Sequence, residues 1–226
     1  MEDIEFKINK NKIEGLQNWS STLFPSHFLC IICGKPGKGK TSLIKQLLTD
    51  ERLFFKKFDY VFCVSPSIEE FSDLFLPKSN TTDKFTIDWI FKSIQDVNSA
   101  KHSNYINVLF IIDDFVSELY NNRFDEMLTK FSFNRRHLIN NGMVSIIITS
   151  QKYNVLPTRY RCTADVLVLF SCAPSEVDEI QKNLIYNNVN FKDVCSLAIT
   201  NDSFLLYNIQ NESFFKNFTL INTKYN

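Results

Sequence analysis

Short continuous apolar runs recur along the chain at 28–33, 60–64, 107–112, 144–149 and 165–170, each rich in Ile, Val and Phe. A run of that length without polar alternation suits a strand buried on both faces. Between the runs, the segments 41–49, 67–75, 84–98, 122–140 and 175–186 carry apolar residues three and four positions apart, as in Phe124, Met127, Leu128 and Phe131. That spacing marks a helix with one buried stripe. Strands alternating with such helices predict an α/β fold, a mostly parallel sheet with helices on both faces. After 190 the pattern changes to two strand-like runs, 203–209 and 213–220, separated by Gln210-Asn211-Glu212, which predicts an antiparallel hairpin at the sheet edge. No Pro/Gly/Ser-rich linker, repeat or charge block interrupts the chain, so 1–226 is expected to form one domain: an extension over 1–25, a core over 26–170, and helices with the hairpin over 171–226.

Composition narrows the classes. With 44% hydrophobic and 22% charged residues the chain is neither disordered nor fibrous, and 226 residues suffice for one well-buried core. Twenty-five Lys plus Arg balance twenty-five Asp plus Glu, which excludes binding of nucleic acid through bulk charge. Any polyanion contact must be local. The apolar runs fall far short of the roughly 18–20 residues that span a bilayer, and the acidic start Met1-Glu2-Asp3 does not read as a signal peptide. A soluble, intracellular protein with no membrane-spanning segment is expected. Of six cysteines, Cys30 and Cys33 form C-x-x-C, but inside a strand-like run with no second Cys or His pair at zinc spacing, so they read as core thiols. Glycine is scarce, five in all, and three of the five are Gly34, Gly37 and Gly39.

That cluster lies in GKPGKGKT, residues 34–41, which matches G-x-x-x-x-G-K-[ST] at Gly34, Gly39, Lys40 and Thr41. An apolar strand leads into it and a helical segment with Leu43, Ile44, Leu47 and Leu48 leads out, the context this phosphate loop requires. Glycines let the backbone wrap a triphosphate, and the exposed N–H groups and helix N-terminus supply partial positive charge. Lys40 reaches the β- and γ-phosphates and the Thr41 hydroxyl ligates Mg²⁺. The residues lining an ATP site would be Gly34, Lys35, Pro36, Gly37, Lys38, Gly39, Lys40, Thr41 and Ser42, with Lys35 and Lys38 solvated rather than catalytic.

Residues 107–114, NVLFIIDD, are a buried strand ending in two acids. Asp113 is placed to hold the Mg²⁺ shell, and Asp114 to act as the general base that orients the attacking water; the competing reading makes Asp114 a cap for a helix beginning near Phe115. The pair lies 73 residues past Lys40, which leaves room for an intervening strand, the arrangement of additional-strand ATPases rather than of kinases and GTPases. The next strand, 144–149, ends in Ser150-Gln151, where the Gln151 amide can report the γ-phosphate. For an arginine finger acting on a neighbour's nucleotide, Arg135 or Arg136 is favoured over Arg159 and Arg161.

Taken together, GKPGKGKT after a buried strand, LFIIDDF, SIIITSQKYNVLPTRYR and VLVLF resemble the FtsK–HerA superfamily of P-loop motors, most closely the genome-packaging ATPases of large DNA viruses and virophages, the poxvirus-type DNA packaging ATPases. YVFCVSPS and FLLYNIQNESFFKNF extend the likeness over roughly residues 25–220. The resemblance implies a RecA-like core and ATP-driven translocation of double-stranded DNA into a preformed capsid. It further implies a homo-oligomeric ring, pentamer or hexamer, capsid vertex or portal partners, and a place in the virion or viral factory. Lys152 to Arg161 would then supply pore-facing contacts to DNA. Bacterial relatives end the acidic pair in Glu, where this chain has Asp114. Another P-loop or helicase-like ATPase, a small-molecule nucleotide kinase and a nucleotide-gated switch remain the alternative readings.

Overall fold

The apolar runs do become strands, and one sheet collects them. A computed structural model describes residues 23–115, 122–185 and 189–222. Its strands are β1 (Leu29–Cys33), β2 (Tyr60–Val64), β3 (Thr81–Thr82), β4 (Ile106–Ile112), β5 (Gly142–Ser150), β6 (Val166–Leu169), β7 (Leu205–Asn208), β8 (Ser213–Lys216) and β9 (Thr219–Leu220). Their order is β3-β2-β4-β5-β1-β6-β7-β8-β9. The first six are mutually parallel; β7, β8 and β9 continue the sheet antiparallel. The helices are α1 (Lys40–Thr49), α2 (Ile87–Ser99), α3 (Asn122–Phe133), α4 (Thr158–Thr163), α5 (Pro174–Leu184) and α6 (Phe191–Ala198). No helix among the described residues is long and apolar enough to cross a membrane.

Side chains alternate along a strand, so each continuous apolar run feeds two cores. Leu29, Ile31 and Cys33 point with Phe110 and Ile148 to the side covered by α2, α3, α5 and α6. Cys30 and Ile32 point with Leu109 and Ile147 to the side covered by Leu43, Ile44 and Leu47 of α1. Truncating one such residue, as in Leu47→Ala, costs about 2–5 kcal/mol. The same alternation settles C-x-x-C: the two thiols lie on opposite faces, and burial pushes both pKa values up. They are core residues.

Several boundaries depart from the pattern. Segment 67–75 forms a 3-10 helix (Ile68–Leu74) that buries only Phe71 and ends at Phe75 with φ 51°, because a stretch with Glu69, Glu70 and Asp73 has too little apolar surface to sustain an α-helix by packing. Helix α3 stops at Phe133 rather than 140, and the chain turns so that Arg135 points inward. Leu128 and Phe131 of its stripe are buried, while the side chains of Phe124 and Met127 lie outside the described residues. The run 213–220 breaks at Asn217, φ 54°, into β8 and β9. The expected extension over 1–25, most of which also lies outside the described residues, ends early. Leu23 and Phe24 are core residues, and Phe24 packs on Phe28 and Phe54 at ring distances of 5.1 and 4.8 Å.

Candidate functional site

Between the end of β1 and the start of α1 the chain must turn within Gly34 to Gly39. Gly37 (φ 74°) and Gly39 (φ 97°) take left-handed conformations that side-chain-bearing residues rarely adopt. Gly34 is required for another reason: a Cβ there would stand 2.8 Å from the Cβ of Phe170. The loop is seated from both sides. Gly34 N–H donates to the Ser150 carbonyl (3.0 Å), and Lys35 N–H donates to Ser171 Oγ (3.3 Å). Lys40 folds back, its ammonium donating to the carbonyls of Gly34 (2.8 Å) and Lys35 (3.4 Å). Lys35, Pro36, Gly37, Lys38 and Ser42 are exposed, and Thr41 is partly so. With no acidic residue in the first turn of α1, the site presents N–H groups, a helix N-terminus and an ammonium, a cradle for an anion.

The acids sit at the same end of the sheet. Asp113, 6% exposed, follows β4 and is held from both neighbouring strands, β5 and the end of β2. Its Oδ1 accepts from Thr149 Oγ1 and its Oδ2 from Ser65 Oγ, both at 2.8 Å, while its N–H donates to the Val64 carbonyl (2.9 Å). Burial pushes the Asp113 pKa up; the two hydroxyl bonds oppose this, nearby Asp114 reinforces it, and Lys40 draws it down. Asp114 is exposed, with φ 57°. This left-handed turn for a non-glycine residue is held by its N–H bond to Thr149 Oγ1 (2.9 Å). Gln151 Nε2 donates to Asp114 Oδ1 at 3.5 Å. The structure therefore brings Asp113, Asp114 and Gln151 together beside Lys40, with the Thr149 hydroxyl donating to one acid while accepting from the backbone of the other. The alternative in which Asp114 caps a helix beginning near Phe115 falls on residues 116–121, which lie outside the described residues.

Two site residues were not singled out from the sequence. Thr149 carried a signal, as a hydroxyl closing a buried run. Ser65 carried none, because only the β2–β4 pairing brings it to Asp113.

The expected intervening strand is present: β5 pairs with β1 on one side and β4 on the other. The finger assignment for Arg135 is corrected. Arg135 is 7% exposed, its Nη2 is 2.6 Å from Asp165 Oδ2, and its Nη1 donates to the Ser132 carbonyl (2.9 Å). A guanidinium so enclosed cannot be presented to a neighbour. Its carbonyl accepts from Val144 near the start of β5, and Ser150 lies six residues further along that strand, roughly 20 Å away at about 3.3 Å per residue. Arg136, next in the chain, is exposed. Arg161 is likewise buried, paired with Glu179, bonded to Thr158 Oγ1 (3.0 Å) and set over the Tyr153 ring, whereas Arg159 is exposed. Among the described residues no cluster of three or more His, Cys, Asp or Glu could hold a metal on its own.

A phosphate-cradling loop on β1, an acidic pair on β4 and a polar-tipped strand between them define a RecA-like P-loop ATPase fold of the additional-strand type. More narrowly, residues 18–217 match the family model described as Poxvirus A32 protein, and the chain belongs to that family. Among solved structures it is similar to the genome packaging NTPase B204 from Sulfolobus turreted icosahedral virus 2 in complex with ATP-gammaS, with TM-score 0.61 and 16% identity over 88% of this chain and 100% of that one. It is also similar to B204, the DNA-packaging ATPase from Sulfolobus turreted icosahedral virus (TM-score 0.60, 17% identity, 83% and 95% covered). The pCW3 conjugation coupling protein TcpA is more distant (TM-score 0.55, 14% identity, 80% and 57% covered). At these identities the likeness establishes the fold. No curated protein matches the chain.

Proposed function

We propose that this chain is an ATP-hydrolysing motor that moves viral double-stranded DNA into a preformed capsid, working as a homo-oligomeric ring docked on capsid vertex or portal proteins, in the virion or viral factory. The observation that carries this reading is the bridge across β5: Thr149 and Gln151 touch both acids, so a change at the γ-phosphate is felt by a whole strand of the sheet. Family membership and the fold shared with packaging NTPases support it.

The loop N–H groups and the N-terminus of α1 bind the phosphates, and Lys40 transfers its ammonium from the Gly34 carbonyl to the β- and γ-phosphate oxygens. The Thr41 hydroxyl and the Asp113 carboxylate are hard oxygen donors, and among the described residues the buried Asp113 oxygens accept from two neutral hydroxyls, so this pair fits Mg²⁺. When bound there, Mg²⁺ would supply positive charge to offset the negative charge of the phosphates. Asp114 accepts a proton from the attacking water and Gln151, already within reach of Asp114 Oδ1, orients that water. Arg136 serves a neighbouring subunit as the finger, and basic residues between Lys152 and Arg161, with Lys152 and Arg159 exposed, touch DNA phosphates.

The test is ATP hydrolysis by the purified chain with and without long duplex DNA, at low and moderate salt. DNA should stimulate turnover, and salt should weaken the stimulation. Asp114→Asn should keep ATP binding and lose hydrolysis by on the order of 10² or more. Turnover indifferent to DNA but dependent on a nucleoside acceptor would replace the motor with a phosphotransferase.

A further inference from the structure

Beside the phosphate loop lies a cleft of about 390 Å³. One wall is the loop itself with the first turn of α1; the other is made by Phe170, Phe204, Asn201 and Asp202. The apolar part of that wall is fixed. Phe170 follows β6 with its N–H on the Cys33 carbonyl (2.8 Å), and its ring lies 5.1 Å from that of Phe204, which in turn meets Phe218 at 5.5 Å. The polar part is equally fixed. Thr200 and Ser203 clamp the turn: Thr200 N–H donates to Ser203 Oγ (3.1 Å), the two hydroxyls lie 2.6 Å apart, and Ser203 Oγ donates to the Ala198 carbonyl (2.6 Å). Phe204 N–H is held by Asn217 Oδ1 (3.0 Å). None of these bonds uses the side chains of Asn201 or Asp202, which stand exposed at the tip of the turn and line the cleft.

We infer that this cleft is the base subsite of the nucleotide and that the Asn201–Asp202 turn reads the 6-amino group of adenine. The inference rests on the proposed seating of ATP phosphates on residues 34–41. A nucleoside tethered to those phosphates leaves the loop along its own wall, and the cleft shares that wall. Phe170 and Phe204 offer an apolar surface to a π-face. At the rim, a carboxylate accepts from an exocyclic amine, and a carboxamide both accepts from that amine and donates to the adjacent ring nitrogen. A 6-oxo purine turns a carbonyl toward the Asp202 carboxylate, two acceptors face to face. The turn therefore discriminates between adenine and hypoxanthine, whose 6-oxo group and protonated N1 reverse the donor and acceptor pattern along that edge.

The experiment is calorimetric titration of the full chain with ATP, inosine triphosphate and inorganic tripolyphosphate, each with Mg²⁺. Wild type should prefer ATP to inosine triphosphate by at least about tenfold, since a site built to accept from an amine rejects the base that lacks it. In the Asn201→Ala, Asp202→Ala double variant the two affinities should come within about twofold of each other. Their ratio cancels any general effect of the lost charge on phosphate binding. Wild type that does not discriminate, or a double variant that keeps the wild-type ratio, overturns the base reading while tripolyphosphate binding leaves the phosphate loop standing. Wild type that binds none of the three overturns the phosphate seating, and the base subsite with it.

Discussion

Replacing Arg135 separates a structural arginine from a catalytic one. The side chains of Arg135 and Asp165 are 8% and 10% exposed and meet at 2.6 Å. Asp165 Oδ2 also accepts from Leu29 N–H (2.7 Å) and its Oδ1 from Gln210 Nε2 (2.8 Å), so the pair ties α3's exit, β1, β6 and the hairpin turn. Arg135→Met leaves a buried carboxylate with two neutral donors and no counter-charge, which costs about 3–5 kcal/mol. At about 2–4 °C per kcal/mol for a domain of this size, the melting midpoint should fall by roughly 6–20 °C. Adding Asp165→Asn removes the uncompensated charge and should recover part of the loss, so the double variant is more stable than the sum of the singles implies. Thermal unfolding gives the first quantity; ATP turnover, measured where both proteins are folded, gives the second and should stay within about threefold of wild type. A finger residue behaves the other way, with turnover lower by on the order of 10³ and the midpoint unmoved. That result, especially with activity restored by mixing in Lys40→Ala subunits, would sink the structural assignment.

Other outcomes follow from the same geometry. Lys40→Ala should cut ATP turnover by on the order of 10² or more, with a melting midpoint within about 2 °C of wild type. Gly34→Ala should cost about 1–3 kcal/mol by urea unfolding; Phe170→Leu should not rescue it, because the collision is with the Phe170 Cβ, which leucine keeps. His27 is held below its usual pKa by burial first and by Arg136 and Arg135 next, against a smaller opposing effect of Asp165. The unfolded chain therefore takes up the proton first, and stability present above about pH 6.5 is lost as pH falls below it. The urea midpoint should drop between about pH 7.5 and about pH 5.5, less so in His27→Gln; equal drops in the two proteins would remove His27 from the account.

The parts of the site carried by continuous chain were legible in the sequence. GKPGKGKT needed only its own glycines and the strand and helix beside it, and Asp113, Asp114 and Gln151 each end a buried run whose length marks the end of the sheet. What the sequence hid depends on pairing across it. Ser65 reaches Asp113 over 48 positions and Asp165 reaches Arg135 over 30, separations at which periodicity carries no signal. Arg135 sits in a charged stretch, Asn134 to His137, that reads as solvated surface until the helix stops early and turns it inward. Helix α6 was the opposite case. Phe191, Val194, Cys195 and Ala198 have the spacing of a buried stripe, a local signal that needs no pairing across the sheet.

Both ends of the sheet are minimal. The outer strands, β3 and β9, are two residues each. Among the described residues, an edge that short offers almost no ladder of free backbone groups on which a second copy could extend the sheet. An assembly made through the described residues would instead be held by side chains and loops. Contacts of that kind can be broken and remade once per catalytic cycle without unravelling the fold behind them.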